Sequence, residues 1–389
     1  MGQQTFIKFN KPFYGNCETE FERCLKRFDN TGDSQYIRKS ERQIEHLLKP
    51  ETFKENGAAS FFLTNSGTGA LEVAARACNL GPGDEVIVSS YTFVSSANAF
   101  ALTGASPVFV DVELQNLSID LDKIENSISN RTKAVVVTHY GGQALNFDKL
   151  RDFATHYNLI IVEDAAHGFL CKQNGNYLGT IGDLGCFSFH DSKVFSAGEG
   201  GAVLVNNQKF LKAAQEIVDK GTNRRDFQNG VVDKFSWVNI GMGVKPNPFG
   251  VSVLMSQIRE ADAIYRKRNC IFQRYKKASA KLLEKGWKTI EANEGETNFF
   301  HIYWMLAPSA RALKKFECHM QDLKIETKRH YPALQRSPFA INNGFKGAED
   351  CPNAIVVANT LIRLPLYSEM KDQEIERVCA ALEVAVEGL

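Results

Sequence analysis

The sequence predicts an α/β protein built on a mostly parallel sheet, and two observations carry that reading. Between Ser60 and Asn206 short apolar runs alternate with longer amphipathic stretches. The runs are continuous rather than alternating, as in "EVIVSS", "KAVVVTHY", "LIIVEDAAHG" and "GAVLVN". Strands of that kind are buried on both faces, which is the condition of a parallel sheet with helices on either side. In chain order the expected strands are "FFLTN", "EVIVSS", "PVFVDV", "KAVVVTHY", "LIIVEDAAHG", "GCFSFH" and "GAVLVN". A helical pattern from Gln208 to Lys220 follows, and "GTNRRDFQNG" then reads as an exposed loop. Val251 to Lys285 reads as one long helical stretch, and "FFHIYWMLA", "SARALKKFECHMQDL", "RLPLY" and "DQEIERVCAALEVAVEG" suggest a smaller α/β domain after it. The expected division is therefore 1–250 for a large domain with an N-terminal segment, and 251–389 for the long helix and small domain. The first 50 or so residues look helical and loop-like, and are expected to wrap on a neighbouring surface.

Composition narrows the functional classes. The 389 residues carry 46 lysines and arginines against 45 acids, so overall charge draws the chain neither to nucleic acid nor to an anionic membrane. The nine cysteines are scattered and lack metal-site spacing, which suggests reduced thiols and a cytosolic protein. No apolar run of about 18 residues suggests a membrane span, and nothing at the start reads as a signal peptide.

Against this background three stretches are odd. In "TNSGTGALEVAARA" a strand ends at Thr64 and a helix begins near Thr68, with small residues that let backbone N–H groups reach an anion. Neither a Walker A loop nor a complete dinucleotide fingerprint is present, and read alone the stretch is equally a turn capped by Ser66 or Thr68. In "LIIVEDAAHG" the acids Glu163 and Asp164 end the most apolar strand, where ligands of open parallel sheets bind. Alone, Asp164 reads as a helix cap and His167 as a structural histidine. In "CFSFHDSKVFSAGEGGAVLVN" Lys193 interrupts apolar and small residues. A lysine amine attacks carbonyls only when neutral, and a closed site depresses its pKa enough to supply that form. A Schiff-base lysine, an acid for a pyridinium nitrogen and a cup for one phosphate together point to pyridoxal 5′-phosphate (PLP).

The ordered motifs "SGTGALEVAARACNLGPGDEVIVSSYTFVSSANAFALTGASPVFVDV", "VEDAAHG", "GCFSFHDSK", "GEGGAVLVN", "KGTNR" and "HYPALQRSP" resemble those of the DegT/StrS-type sugar-nucleotide aminotransferases across nearly the whole chain. Within that family the chain is most similar to the dTDP-4-keto-6-deoxyglucose aminotransferases. The resemblance implies the aspartate-aminotransferase fold, fold type I, as a homodimer with its sites at the subunit boundary. It places Lys193 as the Schiff-base lysine, Asp164 on the pyridinium nitrogen and His167 near the phenolic oxygen. Phe93 matches the aromatic that stacks on the ring, and Gly67, Thr68 and Ser188 match the phosphate contacts. Lys245 stands in "NIGMGVKPNPFG" where relatives send an Asn to the partner's phosphate.

His330, Arg224 and Gln335 are the substrate-binding candidates, and Gln335 replaces a histidine that relatives turn toward the substrate. Arg225, Lys328 and Arg329 join Arg224 as cations for a pyrophosphate. The expected reaction moves an amino group from glutamate to a nucleotide-linked keto-deoxysugar, first choice dTDP-4-keto-6-deoxyglucose at carbon 4. That is a step in making deoxyamino sugars for lipopolysaccharide or other surface polysaccharide. A 3-aminotransferase on a 3-keto isomer and a catalytically silent PLP-binding regulatory protein are the alternatives. No metal is expected.

Overall fold

The computed structural model describes residues 5–26, 35–49, 60–291, 296–347 and 349–388. Its strands are β1 Phe61–Thr64, β2 Glu85–Ser89, β3 Ser106–Val110, β4 Thr132–Thr138 and β5 Ile160–Asp164. The short hairpin β6 Lys172–Gln173 and β7 Asn176–Tyr177 comes next, then β8 Leu184–Ser188 and β9 Gly201–Val205. The chain closes with β10 Lys288–Thr289, β11 Glu296–Thr297, β12 Tyr303–Leu306 and β13 Leu361–Leu364. Seven of them form one sheet in the order β1-β9-β8-β5-β4-β2-β3. Every neighbouring pair from β8 to β3 is parallel, and β9 alone runs against both of its neighbours.

The continuous apolar runs have the reason expected of them. Along each strand successive side chains point to opposite faces. Val86, Val88, Val136, Val162 and Val203 enter one buried cluster, while Ile87, Val135, Val137 and Ile161 enter another across the sheet. At the β1 end the second face is filled by Phe61, Leu63, Phe187 and Leu204. A polar residue on either face would have to be buried, so the runs contain almost none.

A three-stranded antiparallel sheet, β10-β12-β13, lies farther along the chain with the helices Ala310–Asp322, Pro352–Thr360 and Asp372–Gly388. Another small sheet joins β11 to the β6–β7 hairpin. The stretch from 251 to 285 is not one helix but three, Pro248–Arg259, Ala261–Ala278 and Ala280–Glu284, divided at Glu260, whose backbone leaves helical geometry, and at Ser279, which ends one helix and opens the next. The division expected at 250/251 falls inside the first of these, whose Val251, Leu254 and Met255 share a buried cluster with Phe61 and Phe187 of the large sheet. In "GTNRRDFQNG" the expected loop holds a short helix, Arg224–Gln228, which stops before the left-handed Gly230 at φ 71°.

The N-terminal stretch packs on its own chain. Ile7 bridges to Ile325, Glu45 accepts the Ser60 hydroxyl at 2.6 Å, and Glu41 accepts the Leu63 N–H at 2.9 Å. Among the described residues no helix is long and apolar enough to cross a membrane.

Candidate active site

The carboxyl ends of β1, β4, β5 and β8 open on one cleft of about 460 Å³, whose far wall comes from residues 301–302, 328–331 and 363–366. It forms where an open parallel sheet leaves strand-end groups unpaired. Strand β1 turns at Ser66 into the helix Gly67–Ala77. Ser66 caps that helix, accepting the Gly69 N–H at 3.0 Å, so the capped-turn reading of this stretch holds. The first-turn N–H groups of Gly67 and Thr68 still lack intrahelical acceptors and sit at the positive end of the helix dipole. Two glycines allow the turn to lie so close to the sheet. A Cβ on Gly201 would come within 2.4 Å of the Ser66 carbonyl carbon, and one on Gly67 within 2.8 Å of Ser188 Cβ. Gly67, Thr68 and Ser188 therefore meet at the cleft, with Thr68 Oγ1 2.7 Å from Ser95 Oγ.

Asp164 is buried at the floor. Its carboxylate accepts the Ser96 hydroxyl at 2.5 Å and the Ala166 N–H at 3.1 Å, and Ser96 continues through Thr92 to Thr138 in a chain of hydroxyls. The neighbouring Glu163 has a different task. It accepts N–H groups of Gly179, Ile181 and Gly182 and pairs with His139 at 2.8 Å, holding a loop rather than facing the cleft.

Lys193 lies between β8 and β9 in the loop 189–200, not in a strand. The loop is fixed from below. Phe195 is buried against Phe169 and Phe299, and Ser196 exchanges two hydrogen bonds with the Gln257 side chain, at 2.9 and 2.7 Å. Removal from water lowers the Lys193 ammonium from its ordinary value of 10.5 to about 8; the Asp164 charge opposes this and Arg363 adds to it.

His167 accepts the Gly141 N–H on Nδ1 at 3.2 Å, so its neutral ring carries the proton on Nε2, 3.3 Å from the Tyr331 hydroxyl. Burial, with Lys193 and Arg363 nearby, holds this ring well below the usual histidine range. His301 is packed 4.3 Å from it, and His330 lies 2.6 Å from Tyr140 Oη. Both are likewise depressed by burial. Phe93 lines the cleft with its side chain 51% exposed, 5.8 Å from the Tyr331 ring. A large aromatic left open beside apolar and ring neighbours is suited to a planar ligand.

The cleft thus gathers Lys193, Asp164, His167, Gly67, Thr68, Phe93, Ser188, His330 and Lys328, and it does not gather Gln335, Arg224, Arg225, Arg329 or Lys245. Gln335 is fully buried and donates to the Cys351 carbonyl at 3.3 Å, so the expected substrate-facing amide points into the protein. The turn Leu334–Arg336, tied by the Leu334 N–H to the Ser90 carbonyl, directs it there. Arg224 stands over the Phe235 ring outside the cleft lining, and Arg225 pairs with Asp219. Lys245 also pairs with Asp219, at 3.1 Å, and lies outside this chain's cleft. Arg329 is bound to Glu317, leaving Lys328 at the rim among the expected pyrophosphate cations.

Sequence reasoning misses His301, Tyr140 and Arg363, all in or beside the cleft. Arg363 has a visible signal, a charge inside the apolar run "LIRLPLY", which is the same oddity that singles out Lys193.

The residues present fit PLP. A dipole-end turn pressed against glycine suits its phosphate, a buried carboxylate suits its ring nitrogen, and a lysine lowered to about 8 suits its aldehyde.

Comparison with known proteins agrees. The chain is 31% identical over 341 residues to the spore coat polysaccharide biosynthesis protein SpsC of Bacillus subtilis, covering 85% of this chain and 87% of that one. It is 28% identical over 333 residues to dTDP-4-dehydro-2,3,6-trideoxy-D-glucose 4-aminotransferase of Saccharopolyspora spinosa, 83% of each. Its fold is that of the sugar aminotransferase Spr1654 from Streptococcus pneumoniae in its PLP form, with a TM-score of 0.84 at 23% identity over 98% of this chain and 99% of that one. The family pattern itself runs from residue 36 to 383, and on that match the chain belongs to the DegT/DnrJ/EryC1/StrS aminotransferase family and is a PLP-dependent aminotransferase.

Proposed function

We propose that the protein transfers an amino group from glutamate to a nucleotide-linked keto-deoxysugar, with dTDP-4-keto-6-deoxyglucose at carbon 4 as the first-choice acceptor. The observation that carries the reading is the lowered amine of Lys193 in one cleft with Asp164 and the Gly67–Thr68 turn. When bound, PLP supplies an electron-accepting ring that lets a hydrogen on the donor's α-carbon leave as a proton. Lys193, whose amine is lowered to about 8, would hold the cofactor through its aldehyde carbon and, when free, would serve as the general base for the donor's α-proton. Asp164, fixed in place by the Ser96 hydroxyl and the Ala166 N–H, would meet the pyridine nitrogen of a bound cofactor and favour its protonated form. His167 presents Nε2–H to the cleft, and the Gly67, Thr68 and Ser188 donors would hold the cofactor's phosphate. Phe93, open at the cleft, would cover the cofactor's ring and exclude water from it.

The acceptor choice draws support from the names of the relatives, one of which is a 4-aminotransferase on a dTDP-linked 4-dehydro sugar. His330 at the cleft and Lys328 at its rim are the side chains proposed to meet the nucleotide sugar. The enzyme is also proposed to be a homodimer, in which Lys245 serves the partner's phosphate. Supporting this, the segment before Lys245 exposes Val231, Trp237 and Ile240 at 70, 81 and 65%, apolar surface that a partner subunit would cover. Incubation with PLP, glutamate and either dTDP-4-keto-6-deoxyglucose or its 3-keto isomer, with the amino position read by NMR, tests the acceptor. A 4-amino product supports the choice; amination of the 3-keto isomer alone, or of neither, overturns it.

A further inference from the structure

Outside the groups that the proposed chemistry uses, one cation is buried with no acid beside it. Arg268, on the helix Ala261–Ala278, is 4% exposed, and among the described residues no carboxylate pairs with it. Its guanidinium donates instead to three successive backbone carbonyls, Nε to Phe299 at 2.9 Å and Phe300 at 3.1 Å, Nη2 to Phe300 at 2.6 Å and His301 at 2.9 Å. Carbonyls of an extended chain alternate in direction, so three in a row reach one cation because Phe300 takes left-handed geometry at φ 48°. One helical turn on from Arg268, Phe272 stacks on the Phe300 ring at 4.0 Å, so a single helix face grips this segment by charge and by ring. Burying a guanidinium is costly, and its planar fork of donors is what lets these carbonyls offset that cost.

The gripped segment reaches His167 from two sides. The Asn298 side chain accepts the Phe300 N–H at 2.6 Å and donates to the Gly141 carbonyl at 3.3 Å. Gly141 is the residue whose N–H occupies His167 Nδ1. On the other side the His301 ring packs 4.3 Å from the His167 ring. A neutral imidazole has one N–H, and the hydrogen bond made by one nitrogen decides which of the two carries it. If Nδ1 lost Gly141, the proton would be free to sit there, and Nε2 would face the cleft as an acceptor. The remaining groups around His167, namely Lys193, Arg363, His330, Tyr140 and Tyr331, belong to other elements and do not touch Nδ1.

We propose that Arg268 is a positioning residue for His167: by fixing residues 298–301 it keeps Gly141 on Nδ1 and so presents Nε2–H to the phenolic oxygen of bound PLP. The proposal rests on the reading that sets His167 beside that oxygen.

The test is a pH titration of the visible band of the PLP-loaded protein, with melting temperatures to confirm folding. The nitrogen joining Lys193 to the cofactor shares its proton with the phenolic oxygen, so a donor from His167 competes for that oxygen and lowers the midpoint of the band. His167→Phe, which keeps a ring and loses the N–H, is expected to raise the midpoint by about one pH unit, the scale of one hydrogen bond to a charged group. Arg268→Met, which keeps the stem and loses the donors, and Asn298→Ala, which cuts the link to Gly141 with Arg268 in place, should each raise it by about half a unit. Arg268→Lys should fall between Arg268→Met and wild type, and neither Arg268→Met nor Asn298→Ala should add to the shift in the His167→Phe background. A merely structural Arg268 would lower the melting temperature and leave the midpoint alone. Unchanged midpoints in Arg268→Met and Asn298→Ala, or shifts that persist undiminished in the His167→Phe background, overturn the proposal. If Arg268→Met does not fold, Asn298→Ala decides by itself. A wild-type midpoint in His167→Phe defeats the reading of His167 beside the oxygen, and this proposal with it.

Discussion

At neutral pH most of Lys193 still carries a proton, because its pKa near 8 lies above the solution pH even though it is well below 10.5. Only the neutral amine attacks an aldehyde, so the rate at which cofactor-free protein captures PLP should climb about tenfold per pH unit below 8 and level off above it. Stopped-flow absorbance checks this, and a flat profile from pH 6 to 9 contradicts it. Asp164→Asn should retain the fold, since the amide is nearly isosteric, and lower turnover ~10²–10³-fold, the scale seen when a preorganised electrostatic partner is removed; steady-state kinetics beside a melting curve measures both. The histidines give a stability prediction. His167, His301 and His330 have folded values depressed by burial, so as pH falls through about 6.5 the unfolded chain takes up protons before the folded one. The stability they contribute is complete above about 6.5 and is lost as pH falls toward the depressed values, and His301→Gln should soften that fall in the melting temperature of the cofactor-free protein. Lys193 and Asp164, whose chemistry contradicts their sequence neighbourhood, are legible in the amino-acid sequence alone. Gln335 is misread there because a tight turn decides which way a side chain points, and Arg363, though a visible charge inside an apolar run, is not assigned because nothing local shows that the run faces the cleft.

Among elements, the close approach of the turn at Ser66 to the start of β9 is what the proposed phosphate site depends on. Gly201→Ala would push a methyl into the Ser66 carbonyl carbon, 2.4 Å from the ideal Cβ position, and must move the turn or the strand. PLP affinity measured by fluorescence should fall at least ~10-fold, about 1.4 kcal/mol, while circular dichroism stays that of the wild type. Unchanged affinity would show that the turn has room to spare. The strands are readable because both faces are buried, a condition that leaves its mark on every residue of a run. The breaks at Glu260 and Ser279 are not, since neither residue is a strong helix breaker.

For the whole molecule, the proposed homodimer would cover the exposed Val231, Trp237 and Ile240. Sedimentation should give twice the 43.4 kDa chain mass, and Trp237→Lys should lower both dimer content and PLP retention. A monomeric wild type with full activity would contradict this. The parallel sheet is legible from the alternation of apolar runs, whereas the wall that closes the cleft comes from residues 301–366, whose approach depends on long-range packing that no local pattern records. The central claim is that the amine offered to PLP is Lys193, and it is tested most directly by borohydride reduction of the PLP-loaded protein followed by peptide mapping. The account predicts one pyridoxyl-labelled residue, Lys193, and no label in Lys193→Ala; label on another lysine of the wild type, or wild-type stoichiometry in the variant, would contradict it.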